Sequence, residues 1–66
     1  MTKEEKEITR WLKSKHSGAE RDAKRYARAG DYGNAGRAVG RAEAYAFAFM
    51  HVEVEARNRK SRERGA

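Results

Sequence analysis

Ile8, Trp11, Leu12, His16, Ala19, Ala23, Tyr26 and Ala27 recur at three- and four-residue spacing, which is the period of one face of an α-helix. Lys6, Arg10, Lys13, Ser14, Ser17, Arg21, Lys24, Arg25 and Arg28 fall on the other side. Thr2 followed by Glu5 is a capping-box pattern, in which each side chain accepts from the other residue's free amide. Glu4, Glu5 and Glu7 add negative charge where the helix dipole is positive. A first helix over about residues 3–29 follows. Ser17 and Glu20 repeat the capping pattern, and Gly18 between them weakens a helix by about 1 kcal/mol relative to alanine. The apolar face nevertheless keeps its phase across Gly18, so one helix, bent at most, is expected.

AGDYGNAGRAVG, residues 29–40, carries four of the six glycines in a chain without proline. Glycine just past a helix enters the left-handed region without a Cβ clash, so Gly30 predicts the end of the first helix. Asp31 can accept from the first free amides of the next one. A turn over about residues 30–33 and a second helix over about 33–60 follow, with a basic tail, 61–66, expected to fray. Gly36, Gly40, Ala44 and Ala48 form a row of small residues that matches Ala19, Ala23 and Ala27 when the chain folds back. Close packing of these two rows is the expected hairpin contact, by analogy with small-xxx-small packing. Gly40→Leu would then destabilise the hairpin by overpacking.

The second helix has more to bury. Ala35, Ala38, Ala42, Tyr45, Phe49, Val52 and Ala56 repeat with the 3-4 spacing of a paired-helix seam. Val39, Phe47, Met50 and Val54 fill much of what is left, and only Arg37, Arg41, Glu55 and Arg59 make a clear polar stripe. A helix apolar on two sides is buried on two sides. The expected fold is all-α: one domain, residues 1–66, forming a two-helix antiparallel hairpin. Two hairpins then pair through Ala38, Ala42, Tyr45, Phe49 and Val52 into a homodimeric four-helix bundle. The alternation Tyr45-Ala-Phe47-Ala-Phe49 also fits a strand, but the continuous seam and the alanine content favour the helix.

Composition narrows the classes. A chain of 66 residues buries only about 60% of its unfolded surface and is marginal alone. Without cysteine it has neither disulfides nor thiolate metal sites, which leaves self-association or docking as the remedy. No apolar run is long enough for a membrane span, and MTKEEKEI lacks the apolar core of a signal peptide, so a cytoplasmic protein is expected. A net charge of +6, with 39% charged residues, attracts nucleic acid or acidic protein surfaces.

Three resemblances add to this reading. YARAGDYGNAGRAVGRA resembles the inter-helix turn of a tetratricopeptide repeat: Ala23, Tyr26, Gly30, Asp31, Tyr32, Ala35 and Ala42 fall where that repeat places small, aromatic and Gly-Asp-Tyr residues. The likeness supports the turn, and a single hairpin falls short of a solenoid. Length, a turn near residue 31 and the opening Met1-Thr2-Lys3-x-Glu5-Lys6 are similar to the Rop family of small plasmid RNA-binding proteins. That resemblance implies a dimer of hairpins whose first-helix face binds RNA, with Lys3, Arg10 and Arg25 at matching basic positions; Ser14 departs from it, standing where the family has an aromatic. GRAEAYAFA resembles small open reading frames of phages and prophages, which implies a protein that binds and redirects a host factor.

No nucleophile, base and acid are grouped, and no glycine pattern matches a phosphate-binding loop, so no enzyme, cofactor or small-molecule substrate is expected. His16 and His51 are expected near the hairpin seam as locally bonded residues, not as metal ligands. The favoured function is a small interaction module that binds and modulates, most simply inhibits, a larger host protein. Aromatic and arginine residues dominate binding hot spots, which nominates Trp11, Tyr32, Arg37 and Arg41. The alternative is an RNA- or DNA-binding bundle that uses Lys3, Arg10, Arg21, Arg25 and Arg28 as a salt-sensitive phosphate-binding stripe.

Overall fold

Thr2 starts the first helix as the capping box requires. In the computed structural model, which describes residues 1–65, the Thr2 hydroxyl accepts from the Glu5 amide at 3.1 Å, and the Thr2 amide donates to Glu5 Oε1 at 2.8 Å. The helix, α1, spans Lys3–Arg28 and passes through Gly18 and the Ser17–Glu20 pair without a break. Phase continuity of the apolar face therefore outweighs the local capping signal.

Gly30 ends it. Its φ of +78° is the one positive value among the described residues. The Asp31 amide donates to the Tyr26 carbonyl at 2.8 Å and the Gly30 amide to the Ala27 carbonyl at 3.1 Å. This crossed pair is the Schellman arrangement, which satisfies two carbonyls left free at the helix end. Asp31 then caps α2, Tyr32–Gly65: its carboxylate accepts from the Asn34 amide at 3.3 Å and from the Asn34 side chain at 2.7 Å. Residues 61–65, the basic tail, continue α2; Ala66 lies outside the described residues.

The two helices form an antiparallel hairpin measuring 55 × 17 × 11 Å. Its interior is graded along its length. Near the turn it is built from Ala19, Ala35, Ala38 and Ala42, all buried, with Ala38 fully so. Toward the middle Leu12 is buried, and Tyr45 and Phe49 are half-buried. Trp11 meets Tyr45 edge to face at 6.3 Å and His16 meets Phe49 likewise at 6.1 Å, an arrangement that matches ring edges to ring faces. At the open end lie Thr9 and Ala56, both buried, and an ion pair between Glu5 and Arg59.

The pairing of rows differs from the expectation. Gly36 and Gly40 do not face Ala19 and Ala23: both are exposed, and a Cβ added at either would meet nothing within 4 Å. Gly40→Leu therefore cannot overpack the hairpin. The row intended for a second copy, Ala38, Ala42, Tyr45, Phe49 and Val52, instead packs on α1 inside one chain. Burial area explains the exchange. A face of glycines offers α1 almost no side-chain surface to remove from water, whereas this row offers two aromatic rings and several methyl groups, at about 25 cal/mol per Å².

Candidate interaction surface

Because α1 takes the Ala38–Tyr45–Phe49 row, the second apolar side of α2 points outward. Tyr32, Val39, Phe47, Met50 and Val54 follow one another at helical spacing along it and are all exposed, Tyr32 by 75% and Phe47 by 72%. Gly36 and Gly40 lie among them. A glycine inside a helix costs about 1 kcal/mol relative to alanine, and nothing within the hairpin repays it at these two positions. Tyr32, Val39, Phe47, Met50 and Val54 together form a strip of large apolar side chains left in water along one side of α2. The sequence pattern shows these residues as apolar, but their role as the outer face rests on which row α1 takes.

A groove of about 370 Å³ runs along one edge of the hairpin, between His16, Glu20, Ala23 and Lys24 of α1 and Val39, Ala42, Glu43 and Ala46 of α2. Alanine methyls supply its floor and charged groups its rims. His16 Nδ1 lies 3.4 Å from Glu20, at the i, i+4 spacing of an ordinary helix pair. His51 is exposed, away from the seam expected for it, because the helix turn that directs the half-buried Phe49 and Val52 inward carries residue 51 outward. Among the described residues no three His, Cys, Asp or Glu side chains are grouped to hold a metal ion.

The four residues nominated for protein binding are all exposed, but they do not form one patch. Trp11 rests on Tyr45, with the Lys15 ammonium 5.5 Å from its ring centre. Arg41 borders a shallow hollow lined by Lys15, Gly18, Asp22 and Tyr45 on this same flank. Arg37 donates weakly to Asn34 Oδ1 at 3.4 Å. Tyr32 stands apart, since residues five positions apart on a helix point about 140° away from each other.

Lys3, Arg10, Arg21, Arg25 and Arg28 share the side of α1 that faces away from α2, spread along its length, and all are exposed. Arg25 pairs with Asp22 at 3.4 Å and lies over the Tyr26 ring at 5.4 Å. Among the described residues the other four make no ion pair within 4.0 Å.

Two ion pairs tie the helices together across the hairpin. Lys13 reaches Glu53 at 3.4 Å, with its ammonium 5.5 Å from the Phe49 ring centre. Arg59 grips Glu5 with both terminal nitrogens, at 2.6 and 3.1 Å. The Arg59 guanidinium, helped by the Thr2 amide, holds the Glu5 carboxyl at about 2, well below its ordinary 4.5; Glu5 in turn raises Arg59. No helix among the described residues is long and apolar enough to cross a membrane. Comparison with family models, with curated proteins and with solved structures gives no match.

Proposed function

We propose that this chain is a non-enzymatic interaction module that acts by protein contact. The observation that carries the reading is the outer face of α2, where five large apolar side chains stand exposed in a row. Partners recognise such a face by burying it, and aromatic side chains supply most of the energy at such contacts. The flank formed by Trp11, Arg37 and Arg41 extends the contact with residue types that dominate hot spots. The target is a larger protein whose activity the module modulates by occupying it, and the phage-like GRAEAYAFA stretch suggests a host protein.

A second reading has its own support. The outward face of α1 carries five cations, four of them without ion-pair partners among the described residues. Such a stripe follows a phosphate backbone and gives salt-dependent, sequence-tolerant binding to RNA or DNA.

Capture from a bacterial lysate, with and without nuclease, separates the two. A discrete protein that survives nuclease, and is lost on Phe47→Glu or on Trp11→Ala with Arg41→Ala, supports protein contact. Retained nucleic acid that is released by salt, and lost on Arg21→Glu with Arg25→Glu, supports the second reading and overturns the first.

A further inference from the structure

The surface of the hairpin is too large for a chain of this mass. Its accessible area is 5200 Å², and the mass is 7.5 kDa. Folded monomers of that mass expose about 4,250 Å². The excess, roughly 950 Å², is close to the share of one partner in a stable interface, about 800 Å². The interior offers little in compensation, because no large side chain is fully buried in it. Four of the eight exposed large apolar side chains, Val39, Phe47, Met50 and Val54, lie along one side of α2.

Charge selects the orientation of what covers this side. Between Arg57 and Arg64 the chain carries five cations and one carboxylate, Glu63. If two α2 helices lay parallel, these segments would run side by side and repel. In an antiparallel pair they are carried to opposite ends of an assembly built from hairpins 55 Å long, and each basic segment approaches the turn end of the other chain, where Asp31 stands with Arg28 and Arg37 and the positive charge is smaller. Antiparallel helix dipoles act in the same direction. The stripe is also nearly symmetric about its middle, with Val39 eight residues before Phe47 and Val54 seven after it. An antiparallel contact centred there sets Phe47 against Phe47 at the twofold axis. Val54 of the second copy then falls beside Val39 and Gly40, where the bare glycine backbone leaves room for it.

We infer that the outer face of α2 is covered by a second copy of this chain, packed antiparallel about Phe47 to give a four-helix bundle. The inference rests on the reading of that face as a protein contact and names its occupant. The outer faces of the two α1 helices and the Trp11–Arg41 flanks stay free in the assembly for a larger target.

Sedimentation equilibrium of the full chain from micromolar to millimolar concentration tests it, together with cysteine substitutions in this naturally cysteine-free sequence. The expected result is a dimer of twice 7.5 kDa, with association weakened about tenfold or more by Phe47→Glu. Phe47 is largely exposed in the hairpin, so circular dichroism should show the variant still helical. On mild oxidation Phe47→Cys should cross-link with itself, and Val39→Cys should cross-link with Val54→Cys in a mixture but slowly alone. A dimer insensitive to Phe47→Glu overturns the assigned face, and Val39→Cys that cross-links rapidly with itself overturns the antiparallel order. A monomer at every concentration overturns the second copy. In that event lysate capture lost on Phe47→Glu would leave the protein-contact reading standing with another occupant, and capture unaffected by it would remove both.

Discussion

The two helices share one interior and differ on their outer sides. Away from the partner helix, α1 presents Lys3, Arg10, Arg21, Arg25 and Arg28, whereas α2 presents Tyr32, Val39, Phe47, Met50 and Val54. A helix that is apolar on one side and charged on the other is complete once that one side is covered. By this measure α1, with Ile8 and Trp11 left about half exposed, is nearer to complete within the hairpin than α2, which leaves five large apolar side chains exposed. The difference teaches where to look for function: the outer side of α1 tolerates water, whereas the outer side of α2 loses free energy for as long as it stays wet.

The contrast between inner and outer positions predicts its largest effect at Leu12. Leu12 is buried between the helices, so Leu12→Ala should cost about 2–3 kcal/mol, a large part of what a hairpin of this size has. Thermal unfolding followed at 222 nm reads this directly. Phe47→Ser removes a larger ring from the outer side of α2 and should leave the isolated hairpin within about 0.5 kcal/mol of wild type, measured at concentrations below association. Equal losses at the two positions would erase the distinction between interior and outer face.

Charge reversal sharpens the comparison from the α1 side. Arg21→Glu with Arg25→Glu should leave the helix content unchanged, since both residues are exposed, while abolishing any salt-dependent retention on a polyanion matrix. Retention unchanged by this pair would deny the outer face of α1 a phosphate-binding role.

Acid tests the closure at the open end. Glu5 holds its proton at about 2 when folded, against an ordinary 4.5, so between these values the unfolded chain binds more protons. The stabilisation from the clasp is therefore full above about pH 4.5 and is lost as pH falls toward 2. The melting temperature of wild type should drop across that window more steeply than that of Glu5→Gln. A small effect of opposite sign is expected at Gly18, where an added Cβ would meet nothing within 4 Å. Gly18→Ala should raise stability by about 0.5–1 kcal/mol through helix propensity alone.

The local punctuation of the chain was legible residue by residue. Thr2 and Glu5 cap, Gly30 adopts the left-handed conformation and Asp31 starts α2, because each of these depends on neighbours a few positions away. The pairing of faces was not legible in the same way. The sequence shows that α2 is apolar on two sides but not which side α1 takes, since Gly36 and Gly40 suggest a close approach that could come from inside the chain or from outside it. The deciding quantity, the area each row can bury against Leu12 and the α1 aromatics, belongs to the folded pair. The same ambiguity displaced the candidate site. Trp11, Arg37 and Arg41 stand out by residue type alone, whereas Phe47 and Met50 stand out only because Tyr45 and Phe49 point inward in the folded hairpin.

The tight turn at Gly30 has a kinetic consequence. Two helices joined by three residues meet first beside the turn, where closing the loop costs least entropy. The alanine layer there needs no rotamer search, so it forms as soon as the helices touch. Successive layers are then expected to register outward through Leu12 and Tyr45, with the Glu5–Arg59 clasp closing last. Opening is expected to run in the reverse order, and faster amide exchange near Glu5 and Arg59 than near Ala38 would show it.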